Sequence, residues 1–367
     1  MTLTHITAPQ ETSEQLVKDW YQALRAKLNQ PDASVDQWLD GIRHWNDIKA
    51  YLEGEYSRRS YAEACNALDK TIEQRMNWFR EIIVPIATEH DAVIRALVLK
   101  APIRSALEQA LGAHLFNIWE AQEISAHPIN IPQVTKLGAL DSEYARIKAQ
   151  AEIDFRGEKL TLTQLCTKLI EKDEAIRKEA FEKGAEWWLD HQADMDRIYD
   201  EMVKLRQEMA KNLGMATYTP LGYKSMNRSE YGPEQVKMFR EQVKKYAVPV
   251  YKKLREKQAK ELGVSSIKPW NRAFFPSFTL APKIVPIETQ LEKARKLFNT
   301  LSPKLGAHFK HMVDDKLIDL ENRKGKRSGA FCTSMPDENK VMLFCNSTGD
   351  ADDISAIVHE SGHSFQG

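Results

Sequence analysis

The sequence closes on His359-Glu360-Ser361-Gly362-His363, followed only by Ser364, Phe365, Gln366 and Gly367. Histidines four residues apart on a helix project from one face, so both imidazoles can reach one ion at Zn–N distances of about 2.0–2.1 Å. A glutamate directly after the first histidine leans into the same space, where its carboxylate can take a proton from metal-bound water. Metal-assisted hydrolysis is the chemistry to expect, with His359 and His363 as ligands and Glu360 as general base. A catalytic zinc ordinarily has three protein ligands and a water, so a third ligand must come from outside the pentad. By itself H-E-x-x-H is a weak pattern. Two incidental histidines on a solvated helix are the plain alternative, and the flanking residues decide between the two.

Those flanks are organised. Gly349, Asp350, Asp352 and Asp353 supply a loop, an N-cap and an acidic first turn, which the helix dipole favours. Ile354, Ile357, Val358 and Phe365 add an apolar helical stripe beside the histidines. Upstream, residues 330–335 and 340–346 read as two short strands around the turn Pro336-Asp337-Glu338-Asn339. A strand edge next to a metal-binding helix lets an extended peptide pair with free backbone groups. The edge expected to be free is that of strand 341–346, with Phe344, Asn346 and Ser347 as candidate substrate contacts. Gly362 costs its helix about 1 kcal/mol relative to alanine. That suggests another element packed closely over it, the alternative being a harmless glycine near a helix end.

The rest of the chain must position this helix, and its periodicity is helical. Leu16, Trp20, Leu24 and Leu28 form one apolar stripe; Met195, Ile198, Tyr199, Met202, Leu205, Met209 and Leu213 form another, stopped by Gly214. Val236, Phe239, Val243, Tyr246, Val250 and Leu254 mark a long third stripe, which Pro249 should break or kink. Such stripes read as helix–helix core. Residues 153–162 look like a small hairpin, or a turn into the next helix. Residues 268–286, with four prolines, read as an ordered surface loop. The expected architecture is mainly α, with one small sheet next to the pentad helix. Residues 1–150 form a helical N-terminal region, 151–195 complete it with the hairpin and further helices, and 196–367 form a catalytic part that ends in the pentad.

Composition narrows the functional classes. With 52 basic and 52 acidic residues the chain has no net charge drawing it to nucleic acid or anionic membrane. Its most apolar stretch, residues 92–103, contains Arg95 and Lys100 and is too short to span a bilayer. No basic-then-apolar leader opens the chain, so a cytoplasmic location is expected. Cys65, Cys166, Cys332 and Cys345 lack metal or redox spacing and read as free thiols.

Several stretches resemble the oligoendopeptidase F branch of the M3 zinc metallopeptidases. They include Ile153-Asp154-Phe155-Arg156-Gly157-Glu158 and the run from Leu221-Gly222-Tyr223 to Ser229-Glu230-Tyr231. Others are Lys268-Pro269-Trp270-Asn271, Leu301-Ser302-Pro303, Gly329-Ala330-Phe331-Cys332-Thr333, and the pentad with glycine in its fourth place. The resemblance implies a multi-helix, ellipsoidal zincin-type peptidase that hydrolyses oligopeptides in a deep cleft with one Zn2+ per full-length chain. His359 and His363 match its ligands and Glu360 its base, while the third ligand, a glutamate, is expected beyond residue 367. On this reading the chain corresponds to the N-terminal two-thirds of such an enzyme and is inactive alone. Asn271 stands where the family usually has aspartate, so no acid function is expected there. A related helical zinc carboxypeptidase and a non-catalytic peptide-binding scaffold are the competing readings.

Overall fold

A computed structural model describes residues 3–30, 32–277 and 285–366. The described residues are mostly helical. Helices α1 (Glu14–Leu28), α2 (Val35–Cys65), α3 (Lys70–Trp78), α4 (Val84–Leu99), α5 (Arg104–Leu111), α6 (Ala113–Ser125) and α7 (Ile131–Ala149) come first. Around α1, α2, α4 and α6 lies a core that includes Tyr21, Leu24, Trp45, Ile48, Ile94 and Phe116. α1 starts where Ser13 accepts a hydrogen bond from the Leu16 amide. It buries Val17, Tyr21, Leu24 and Leu28, so its inward face is turned slightly from the expected stripe, leaving Leu16 and Trp20 half-buried at its flank.

Strands β1 (Ile153–Phe155) and β2 (Glu158–Leu160) form the expected hairpin, turning through Arg156 and Gly157 at φ 54° and 86°. With α8 (Leu162–Cys166) and α9 (Glu174–Asp190) they build a second small core around Phe155, Leu165 and Trp187. α10 (Gln192–Asn212) ends as expected at Gly214, φ 72°, where the Met215 amide reaches back to the Ala210 carbonyl. Its stripe is only partly core, since Tyr199 is exposed.

After α11 (Tyr218–Ser225), the helices α12 (Pro233–Gln242) and α13 (Val248–Leu262) run on as one rod. Pro249 neither breaks it nor ends it. The turn Val243–Ala247 is a π-helix in which the Val248 amide bonds to the Val243 carbonyl, an insertion that accommodates the proline's missing donor and its ring. The same device precedes Pro85, after the π-turn Phe79–Ile83. The reading of this rod as helix–helix core is overturned: Phe239 is 68% exposed, and Tyr246, Val250 and Leu254 are exposed with it. Periodicity marks an apolar face without naming what covers it, and no described element lies over this one.

The described part of the proline-rich segment begins with a 3-10 turn, Pro269–Asn271, whose Asn271 is fully buried; residues 278–284 of the expected loop lie outside the described residues. Helices α14 (Ile287–Leu301) and α15 (Pro303–Asp314) lead into β3 (Ile318–Glu321), β4 (Phe331–Met335), β5 (Lys340–Ser347) and α16 (Ala351–Ser364). β4 and β5 are antiparallel around the expected turn, with Phe331 opposite Phe344 and Cys332 opposite Leu343. β3 was not expected, and it changes the topology. It pairs parallel to β5, so the order is β3-β5-β4. The expectation of a free edge on strand 341–346 is therefore wrong: β5 is central, and β4 is an edge strand.

The two faces of this sheet are covered by different parts of the chain. On one, Ser57 of α2 accepts a hydrogen bond from Thr333 (3.1 Å), and the Tyr61 ring meets Phe331 and Phe344. On the other, Leu343, Cys345 and Ile357 join Phe298 and Phe309 in a third core that anchors α16.

Candidate active site

α16 is set in place by its first turn. Asp350 caps it, accepting from the amides of Asp352 and Asp353. The buried Asp353 does more. Its carboxylate accepts from Gln290 Nε2 (3.1 Å), Ser347 Oγ (2.7 Å), the Thr348 amide (3.0 Å) and the Gly349 amide (2.6 Å). One side chain thus ties α14, the end of β5 and the connecting loop to the helix that carries the pentad. An acid three places after an Asp cap fits a capping pattern, but only the fold shows that it clamps the preceding loop.

The helix divides its side chains sharply. Asp353, Ile357, Glu360, Ser361 and Ser364 are buried, whereas His359, Gly362 and His363 are exposed. Ser361 Oγ donates to the Ile357 carbonyl and Ser364 Oγ to the Ser361 carbonyl, both at 2.7 Å, so these inward hydroxyls find partners within the helix. The imidazoles of His359 and His363 lie one turn apart with ring centroids 5.0 Å apart. Glu360, 9% exposed, points instead toward β4. With His363 it lines a cavity of about 420 Å³ whose other walls include Phe331, Cys332 and Ser334 of β4 and Val341 of β5. Among the described residues no group of three or more His, Cys, Asp or Glu side chains is placed to hold a metal. No described residue packs over Gly362 either, since a Cβ built there meets nothing within 4 Å, which leaves the plain reading of a glycine near a helix end.

Cys332 and Cys345 face this region as free thiols. Burial, followed by the nearby Glu360 carboxylate, pushes Cys332 up to about 11 and Cys345 up to about 12. Both stay protonated at neutral pH.

Phe344, Asn346 and Ser347 are committed elsewhere. Phe344 is fully buried, stacked on Phe331 at 4.6 Å with the Lys326 ammonium over its ring. Asn346 Nδ2 donates to the carbonyls of Arg327 and Gly329, both at 2.8 Å, and its Oδ1 accepts from Asn322. Ser347 is held by Gln290 and Asp353. None of the three lines the Glu360 cavity. What they do is shape the sheet and the loop leading into β4.

Two buried cationic networks escaped the sequence reading. Lys326, fully buried, donates to Asp319 Oδ1 (2.8 Å) and to the carbonyls of Glu321 and Cys345 (2.9 and 2.6 Å), stapling β3 to β5. Arg177 of α9 donates to Asn271 Oδ1 through Nε (3.2 Å) and Nη2 (2.9 Å), while Asn271 Nδ2 donates to Glu174 (3.1 Å). The asparagine is used as an amide, donor and acceptor together.

A mainly helical body, an edge strand, and an H-E-x-x-H helix with its glutamate turned toward that strand define the class of helical metallopeptidases. Residues 169–367 match peptidase family M3, and residues 10–125 match the peptidase M3 N-terminal domain. The chain belongs to peptidase family M3. It is 30% identical over 118 residues to the plasmid oligoendopeptidase F of Lactococcus lactis subsp. cremoris, a match covering 32% of this chain and 19% of the relative. To the chromosomal oligoendopeptidase F of the same organism it is 35% identical over 75 residues, covering 20% and 12%. Among solved structures, PZ peptidase A with an inhibitor superposes with a TM-score of 0.92 at 30% identity, covering 99% of this chain and 64% of that one. A Bacillus anthracis protein assigned to oligoendopeptidase F matches equally well, TM-score 0.92 at 27% identity, covering 100% and 67%. The chain thus spans about two thirds of the length of these structural relatives.

Proposed function

We propose that this chain carries the metal-binding and proton-transfer part of a zinc endopeptidase that hydrolyses short peptides. The observation that carries the reading is Glu360, buried against the β4 side of a cavity, with two exposed imidazoles one helical turn apart beside it. The donor set fits zinc in part: two imidazole nitrogens on one helix face, to be completed by a glutamate from sequence beyond Gly367. When bound, zinc lowers the pKa of a coordinated water toward 7 and polarises the peptide carbonyl.

The chain's own groups do the rest. Glu360 takes a proton from the attacking water on its carboxylate and returns it to the leaving amine. Among the described residues no strand pairs with the outer edge of β4, so its backbone N–H and C=O groups there can take an extended peptide beside Glu360. The relatives' names, oligoendopeptidase F and PZ peptidase, support peptides as the substrate class. No helix among the described residues is long and apolar enough to cross a membrane.

Zinc content by elemental analysis and cleavage of end-blocked fluorogenic oligopeptides test the reading, on this chain and on the chain extended to its relatives' length. The extended protein should hold one zinc, lose it in His359→Ala and His363→Ala, and cleave blocked peptides. In it, Glu360→Gln should keep zinc and lose at least about 10²-fold in kcat. This chain alone should bind zinc weakly and not cleave. Unchanged zinc in both histidine variants, or an absolute requirement for a free C-terminal carboxylate, would overturn the endopeptidase reading.

A further inference from the structure

A second cavity of about 870 Å³ opens between α8 and α9, walled by Leu165, Leu169, Phe181, Trp188 and Leu189. Its lining carries a single charged side chain, Lys148. Leu189 is 67% exposed and Trp188 41%, so a large apolar surface stands open to solvent. Its position along the chain says what belongs there. Ser328 and Gly329 line this groove, and the next residues, Ala330, Phe331 and Cys332, line the Glu360 cavity. Five consecutive residues therefore join the two spaces, and they lead directly into the unpaired edge of β4. A strand advances about 3.3 Å per residue, so a peptide paired to β4 beside Cys332 reaches Gly329 about three residues further along.

We infer that the groove between α8 and α9 is a remote substrate subsite that receives a large apolar side chain of the peptide lying along β4. The inference rests on the peptidase reading and names its selectivity. Apolar walls with no carboxylate favour leucine, phenylalanine or tryptophan and reject lysine, whose ammonium would leave water to enter a site that holds no anion to pair it and already carries Lys148. Asn346 supports the arrangement as a positioning residue, because its amide holds the carbonyls of Arg327 and Gly329 and so fixes the bridge between the two spaces.

Two native cysteines report on the two spaces. Cys166 lines the groove and is exposed, while Cys332 lines the Glu360 cavity and is partly exposed. The intact chain is treated with methyl methanethiosulfonate, and modification of each thiol is followed by peptide mass mapping. End-blocked peptides of eight residues, Gly/Ser/Asn-based with one phenylalanine or one lysine moved along them, are added at saturating concentration. A phenylalanine peptide in the favourable register should slow modification of both Cys166 and Cys332 at least fivefold, and its lysine counterpart should not. Leu189→Asp alters only an exposed rim residue, and with unchanged circular dichroism it should abolish the difference between the two peptides. Protection of Cys166 alone, equal protection by phenylalanine and lysine peptides, or no protection of Cys166 would each overturn the inference; the last is also the result expected if further polypeptide covers the groove. The readout needs neither zinc nor turnover, so it separates failure of the subsite from failure of the peptidase reading, which the zinc measurements decide.

Discussion

Arg58 and Asp337 stand 279 positions apart and meet in a two-pronged ion pair, Nη2 to Oδ2 at 2.8 Å and Nη1 to Oδ1 at 3.2 Å. Arg58 lies on α2, and Asp337 is the turn between β4 and β5. Beneath the pair the chain is bare by necessity: a Cβ on Gly54 would fall 1.8 Å from Asp337 Oδ1. The longest helix of the N-terminal region thus holds the tip of the hairpin whose edge flanks Glu360.

Removing that grip should be costly. Arg58→Ala leaves a carboxylate that is only 5% exposed without its fork, an expected loss of about 2–3 kcal/mol. Arg58→Lys keeps the charge but not the planar two-point geometry and should recover only part of it. Urea unfolding measures the loss, and hydrogen exchange should show it concentrated in the β4 and β5 amides. Equal protection of those amides in Arg58→Ala and wild type would contradict the role.

Asp353 supplies a second handle on the site without touching it. Asp353→Asn turns an acceptor of four hydrogen bonds into a group that presents an N–H to other donors, and should cost about 3 kcal/mol. Loosening α16 should also weaken zinc binding by about 10-fold or more, the usual effect of losing an outer support of a metal site. Isothermal titration of zinc into both proteins checks this; equal affinities would show that the clamp serves stability alone.

Acid should unfold the protein in part through Asp319. Burial pushes its carboxyl up, but hydrogen bonds from Arg323 and Lys326 outweigh this and hold it well below the usual carboxylate range. A depressed folded-state pKa contributes stability that is present above the unfolded value of about 3.9 and is lost as pH falls through the folded value. Wild type should therefore lose stability steadily below about pH 4, and Asp319→Asn should show a flatter acid limb. At pH 7 the variant should be less stable by about 3 kcal/mol, because Lys326 is left buried beside a neutral amide. Unfolding midpoints from pH 2 to 7 test both effects; parallel acid limbs would rule out the linkage.

Asn271 separates an amide requirement from an acid requirement. Asn271→Ala removes both acceptor contacts to the buried Arg177 and should cost about 2–3 kcal/mol. Asn271→Asp keeps those acceptors but sets a second carboxylate beside Glu174, so it should stay within about 1 kcal/mol of wild type and improve with added salt. A variant with aspartate that is clearly more stable at low salt would show that the donor to Glu174 matters little.

Local rules made much of this protein readable from its residues. The pentad, the Asp350 cap, the turn at residues 336–339, the hairpin at 153–160 and the Gly214 stop depend on neighbours a few positions away, and each sits where spacing and backbone preference put it. What lay beyond reach depends on partners far along the chain. Ile318–Glu321 is too short a segment to announce itself, yet by pairing with β5 it moves the free edge to β4 and turns Asn346 and Ser347 from candidate substrate contacts into internal supports. The stripe from Val236 to Leu254 has the same period whether covered or bare, so its exposure is a property of the assembled fold. Periodicity records that a face is apolar; which surface meets it, and which strand is left at an edge, is settled by contacts across hundreds of residues, such as Arg58 with Asp337.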